Sequence, residues 1–192
     1  MPPGVSMSAW AAVIVCAVVA IACVTDVRKG IVPNWLTYPA IVAGLVGHAL
    51  TGGLAGSPTE LGLAGSAIGL VTGFGPLLLC WMLLGGISGG DAKLMGAIGA
   101  LGGWEFVIRA AILGFVVVAL MAIGLMIYKG LVRQTLRRLW VTLVLLFTGA
   151  KPSMESSPDS PKVPVAVGLC IGTLAVLAET YWRTGVLDRL FG

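Results

Sequence analysis

Apolar residues run along this chain in long blocks, broken by short polar or charged stretches. A membrane-spanning helix needs about 20 mostly apolar residues, and that ruler picks out six segments. The first, 8–25 (SAWAAVIVCAVVAIACVT), is ended by Asp26, Arg28 and Lys29. The second runs from 35 to about 51 after Pro33-Asn34, and the third covers about 61–84. A fourth, 91–103, is short and glycine-rich, and the fifth, 106–128, runs into the basic stretch YKGLVRQTLRRLW. The sixth, 163–182, follows the polar linker KPSMESSPDSPK. The apolar stretch 140–150 is too short to span comfortably and is expected as a half-inserted or interfacial helix.

Composition turns this pattern into a statement about solvent. Hydrophobic residues make up 58% of the 192 and charged residues 10%, with a mean hydropathy of +1.02. A soluble domain carries about 25% charged residues, so this chain cannot cover itself with a polar surface. The expected fold is all-α: a polytopic membrane helix bundle of about six transmembrane helices, read as one domain over 1–192. A basic segment and linker at about 129–162 falls between helices five and six. No Lys or Arg precedes Arg28, so the first span lacks the basic start of a signal peptide and is read as a retained helix.

The net charge of +4 changes the picture only through its distribution. Basic residues cluster between spans, where they set topology rather than bind nucleic acid. Crossing parity gives one side Arg28, Lys29, Lys93, Lys129, Arg133, Arg137, Arg138, Lys151 and Lys162, and the other Arg109, Arg183 and Arg189. The positive-inside rule then places the first side in the cytoplasm and both termini outside. The Lys129–Arg138 stretch is expected to attract anionic lipid. Cys16, Cys23, Cys80 and Cys170 are scattered without a CxxC pair, so neither a zinc site nor a disulfide framework is expected.

The same parity brings Asp26 and Asp91, 65 positions apart in the chain, to one depth of the inner face. Glu60, Glu105, Glu179 and Asp188 fall at the outer face, and Glu155 and Asp159 in the linker. Each aspartate has an ordinary explanation. Asp91 follows Ser-Gly-Gly and suits a helix N-cap or first turn; Asp26 can pair with Arg28 or Lys29, although an acid at a helix C-terminus opposes the dipole. Together they suggest more, because ionisable groups near the hydrocarbon are costly and point to function. Two carboxylates brought close do not both ionise easily and hold one proton between them. Such a pair can activate a water with one member and donate to a carbonyl oxygen with the other, which is the chemistry of aspartic proteolysis. The single histidine, His48, lies toward the outer end of the second span. It is expected as an interface or packing residue, not as the partner of a serine or cysteine at the inner face.

Around these residues the sequence resembles a known family. DVRKGIVPNWLT, 26–37, is similar to the D-x-[KR]-x-x-x-[IV]-P-N-x-L-T segment of the type IV prepilin peptidases. SGGDAKLMGAIGALGG, 88–103, resembles their G-x-G-D-x-K block, and KVPVAVGLC, 162–170, the proline-containing start of their last helix. The resemblance implies that Asp26 and Asp91 are the catalytic pair of a membrane aspartic endopeptidase of the cytoplasmic, inner-membrane face. Its substrate would be the leader peptide of a prepilin or pseudopilin, and it would need no cofactor or metal. Ser88 stands where the family has its first motif glycine, a change tolerated unless the backbone there requires positive φ. Larger relatives carry a cytoplasmic domain with CxxC motifs after the first helix and also N-methylate the new terminus. Here only 26–34 separate the first two spans, so the chain resembles the short Flp/Tad-type peptidase, with cleavage alone expected.

The remaining motif residues are candidates for substrate binding or for shaping the site: Arg28, Pro33, Asn34, Gly89, Gly90 and Lys93. Pro33 bars continuation of the preceding backbone as helix and Asn34 is expected to cap the second helix. Lys93 is about 200° round a helix from Asp91, so it is expected to reach headgroups or substrate rather than that carboxylate. Arg28 either acts on Asp26 or anchors the helix end. The glycines of 85–103 suit close helix packing, and Gly90 suits close approach of backbone to the site. Two other functions compete: a non-catalytic membrane component of a pilus or secretion assembly, and an ion-coupled transporter. The presenilin-type intramembrane proteases share G-x-G-D, but their companion Y-D is absent, since Thr25 precedes Asp26.

Overall fold

The first predicted span continues past Thr25, so that Asp26 lies inside helix α1 (Ala9–Lys29). Gly30 ends it in the left-handed conformation (φ 64°, ψ 25°), where glycine meets no Cβ penalty, and its N–H donates to the Asp26 carbonyl at 2.7 Å. The structure, a computed structural model, describes residues 7–56, 61–84, 88–130 and 165–183. Within them follow α2 (Asn34–Gly52), α3 (Leu63–Leu84), α4 (Gly89–Tyr128) and α5 (Val165–Arg183). The described residues contain helices and turns only, which makes the fold all-α.

The fourth and fifth predicted spans both fall in α4, which is broken at Gly103 (φ 79°, ψ 175°), a backbone region open in practice to glycine alone. The break reverses the chain. Gly73 of α3 abuts both the Met95 carbonyl oxygen and a Val107 methyl group, yet those residues would stand about 18 Å apart along a straight helix. The first arm of α4, 89–102, and the start of the second, near Val107, therefore lie side by side against α3. The first arm is roughly 21 Å long, short of the ~30 Å hydrocarbon thickness.

Among the described residues, four helices, α1, α3, α4 and α5, are long and apolar enough to cross a membrane. α2 is not among them, because Asn34, Thr37, Tyr38 and His48 dilute its apolar residues. Met1–Val117 together with Pro164–Gly192 make one compact unit, and Val118–Val163 a second. Of the second, the end of α4 and the turn at Lys129-Gly130 are described. Most of the expected basic segment, the linker 151–162 and the stretch 140–150 lie outside the described residues, as do Glu60 and Asp188.

The first arm of α4 is the centre of the larger unit. Leu94, Met95, Ile98 and Leu101 are fully buried there, while Val13, Val46 and Leu79 on other helices and Ile112 on the second arm point outward. Between helices surrounded by lipid, apolar burial gains little over contact with acyl chains, so close backbone approach supplies the packing. Gly69 of α3 and Gly99 of α4 meet so closely that a Cβ on either would strike the other's carbonyl oxygen. Gly44 of α2 faces Ala100, and Gly114 of the second arm lies against Leu169 of α5. At the end of the unit away from Asp26, His48 is buried and its Nε2 lies 2.9 Å from the Leu101 carbonyl oxygen, beside the Trp10 ring at 4.9 Å. It is a packing residue, not one facing the membrane interface.

Candidate active site

Two helix ends and a tight connection assemble the site. Asp26 occupies the last turn of α1, and the chain turns at Gly30 to enter α2 at Pro33 (φ −75°, ψ 141°). Asp91 lies in the first turn of α4, 4% exposed. Ser88 caps that turn: its Oγ accepts from the Gly90 N–H at 3.2 Å and its carbonyl from the Asp91 N–H at 3.0 Å. No described residue other than glycine has positive φ, so serine at 88 replaces the motif glycine without backbone strain and adds an N-cap.

The two carboxylates lie close enough for the Asp26 charge to act on Asp91, although they come from different helices. The Asp26 carboxylate faces the backbone N–H groups of Ala166 and Val167 in the first turn of α5. Unpaired N–H groups of a helix start are natural partners for a carboxylate. Its Oδ2 is buried and has no hydrogen-bond partner among the described residues. Farther along the α1–α5 contact, the Cys170 thiol donates to the Val19 carbonyl at 3.2 Å.

Of the other residues singled out from the sequence, some join this frame and some do not. Asn34 does not cap α2; Pro33 holds the N-cap position with no side-chain bond. The Asn34 Oδ1 instead accepts from Lys93 Nζ at 2.9 Å, and that ammonium also lies 5.2 Å from the centre of the Tyr38 ring. Lys93 thus turns away from Asp91, as its helical position implies, and finds α2. Gly90 presses on the α1–α2 connection, where a Cβ would stand 3.2 Å from Val32 Cβ. Arg28 is exposed on the last turn of α1, and Gly89 faces open space. Sequence reasoning placed the start of the last helix near 163 but did not bring it, the Tyr38 ring or the Ser88 cap to the site. Pro164 immediately before α5 was a signal of a helix start, and so of free N–H donors.

The sequence profile of the type IV leader peptidase family matches residues 13–123, which hold both aspartates and end before α5. No curated protein and no solved structure matches the chain. The profile covers more than half of the sequence, and its matched region contains the two helix ends that meet at Asp26 and Asp91: this protein belongs to the type IV leader peptidase family.

Proposed function

We propose that the protein is a membrane-embedded aspartic endopeptidase that removes the leader peptide of type IV prepilin-like, Flp-type substrates at the cytoplasmic face of the bacterial inner membrane. The observation that carries this reading is the nearness of Asp26 to Asp91 in a chain of the leader peptidase family. The short passage from α1 to α2, residues 30–33, and the lack of any CxxC pair favour the Flp type, acting by cleavage without methylation.

In the reaction, the ionised member of the pair takes a proton from a water as its oxygen attacks the scissile carbonyl carbon. The protonated member gives its proton to the carbonyl oxygen, forming a tetrahedral gem-diol. Collapse breaks the C–N bond: the leaving nitrogen gains a proton from the first aspartic acid, and a diol hydroxyl returns one to the second. One water is consumed, a carboxyl and an amine are produced, and the pair again holds a single proton. The Ala166 and Val167 N–H groups keep the Asp26 carboxylate in place. Gly90, flanking Asp91, lets the connection 30–33 pass close against the start of α4. Arg28, exposed beside the site, and the basic side of the bundle would face the headgroups.

The test is leader removal from a Flp-type prepilin by the purified protein in liposomes. Wild type is expected to cleave, and Asp26→Asn and Asp91→Asn to insert and fold but not to cleave. Processing by either variant at the wild-type rate would exclude the dyad.

A further inference from the structure

Lys93 and Asn34 close a loop around the two aspartates. Asn34 opens α2 eight positions after Asp26, and Lys93 follows Asp91 by two. The 2.9 Å hydrogen bond from Lys93 Nζ to Asn34 Oδ1 therefore ties the two acid-bearing segments to each other a short way from both carboxylates. Tyr38 stands one turn after Asn34, on the same face of α2, and offers its ring to the same ammonium at 5.2 Å, inside the ~6 Å range of a cation–π contact. The connection between the acids is itself constrained. Gly30 sets its turn, Pro33 fixes the entry to α2, and Val32 packs against Gly90 one residue before Asp91.

We infer that Lys93, seated on Asn34 and Tyr38, is a positioning residue: a latch that holds the start of α4 against the α1–α2 turn and so sets the separation of Asp26 and Asp91. The inference rests on the peptidase reading and adds to it the element that fixes the geometry of the pair. Lys93 does not touch the reacting atoms. Its ammonium is committed to α2, and the side chain leaves the helix on a different side from Asp91.

Full-length Asn34→Leu, Lys93→Met, the double variant and Lys93→Arg, each in phosphatidylethanolamine–phosphatidylglycerol liposomes with a Flp-type prepilin, test the latch. Misplacement of about 1 Å costs on the order of 100-fold in rate, so each single variant is expected to lose roughly 10- to 100-fold in kcat at unchanged KM. Because both act through one bond, the double variant is expected to be no slower than the slower single. Lys93→Arg is expected to recover most of the rate, since a guanidinium can donate to Asn34 and lie over Tyr38. A raised KM with unchanged kcat in Lys93→Met, additive losses, or a wild-type kcat in Asn34→Leu would each overturn the latch. Equal thermal unfolding midpoints keep a folding defect from imitating the result.

Failure of the peptidase reading is separable. A wild type that cleaves nothing sinks that reading, while nitroxide labels at Ile31→Cys and Gly89→Cys still report on the latch. Ile31 is exposed and a Cβ at Gly89 meets open space; the four native cysteines are replaced by alanine. A narrow distance distribution that Asn34→Leu broadens supports the latch, and one that it leaves unchanged rejects it.

Discussion

The backbone N–H of Ala166 meets the carboxylate of Asp26, so the first turn of α5 closes over the last turn of α1. Residue 166 lies beyond the stretch matched by the family profile. It reaches the site through the chain's return to the same end of the bundle. Ala166→Pro removes this N–H at a position where a helix tolerates proline, leaving that of Val167. A hydrogen bond to a charged group is worth about 1.5–3 kcal/mol, so leader cleavage is expected to slow by roughly tenfold or more. Ala166→Gly, which keeps the N–H, is the control and is expected to cleave at nearly the wild-type rate.

The two aspartates act as one unit under the proposed mechanism. Asp26→Asn and Asp91→Asn are each expected to lower kcat by a factor of at least about 100, the low end for acid–base catalysis. The double variant is expected to be little worse than either single. A steady-state assay in liposomes decides this; multiplying losses would mean that the acids work independently.

Cleavage by a pair that shares one proton has a pH optimum with two flanks. On the acid side both carboxyls are protonated and no base remains; on the alkaline side both are ionised and no acid remains. The kcat–pH profile is therefore expected to be bell-shaped, with its two apparent ionisations belonging to the pair. A rate that rises to a plateau and never falls would contradict a shared proton.

Gly103 carries the reversal of α4 at φ 79° and ψ 175°. Alanine there is held in a disfavoured region at a cost of about 1–3 kcal/mol, and its Cβ would meet Leu61 Cδ1 at 3.0 Å. Gly103→Ala is expected to lower the thermal unfolding midpoint in detergent, whereas Gly124→Ala, where a Cβ meets nothing, is expected to leave it unchanged.

Ser88 is the departure from the family motif, and its cap gives the change a measurable value. Ser88→Ala removes the acceptor for the Gly90 N–H and is expected to destabilise by about 0.5–2 kcal/mol. Ser88→Gly, the residue of the family motif, is expected to cost only a few tenths of a kcal/mol. Urea or thermal unfolding of the two variants side by side distinguishes them.

Much of the architecture was legible before any coordinates. The block lengths of apolar residues located every described helix to within a few positions, because lipid demands long uninterrupted apolar segments and imposes little else. Counting crossings led to the expectation that Asp26 and Asp91 share one end, since an even number of crossings returns a chain to the same end. Less legible was what each polar side chain would do on arrival. Asn34 reads locally as a cap, but Lys93, 59 positions later, offers its amide a charged donor that no local pattern announces. His48 reads as either an interface or a packing residue, and Trp10 and the Leu101 carbonyl that enclose it decide for packing.

By itself, the sequence determined the solvent, the helices, the acids that share one end and the family that the motifs resemble. Each of these follows from composition or from spacing along one strand of chain. Only the tertiary structure decided that the fourth and fifth spans, separated at Gly103, fold back so that both lie against α3. It alone brought the start of α5 to Asp26 and seated Lys93 on α2. These are contacts between segments far apart in the chain, selected by how closely backbones can approach at Gly69, Gly73 and Gly99. That fit depends on three-dimensional shape, which a one-dimensional pattern of apolar and polar residues does not encode.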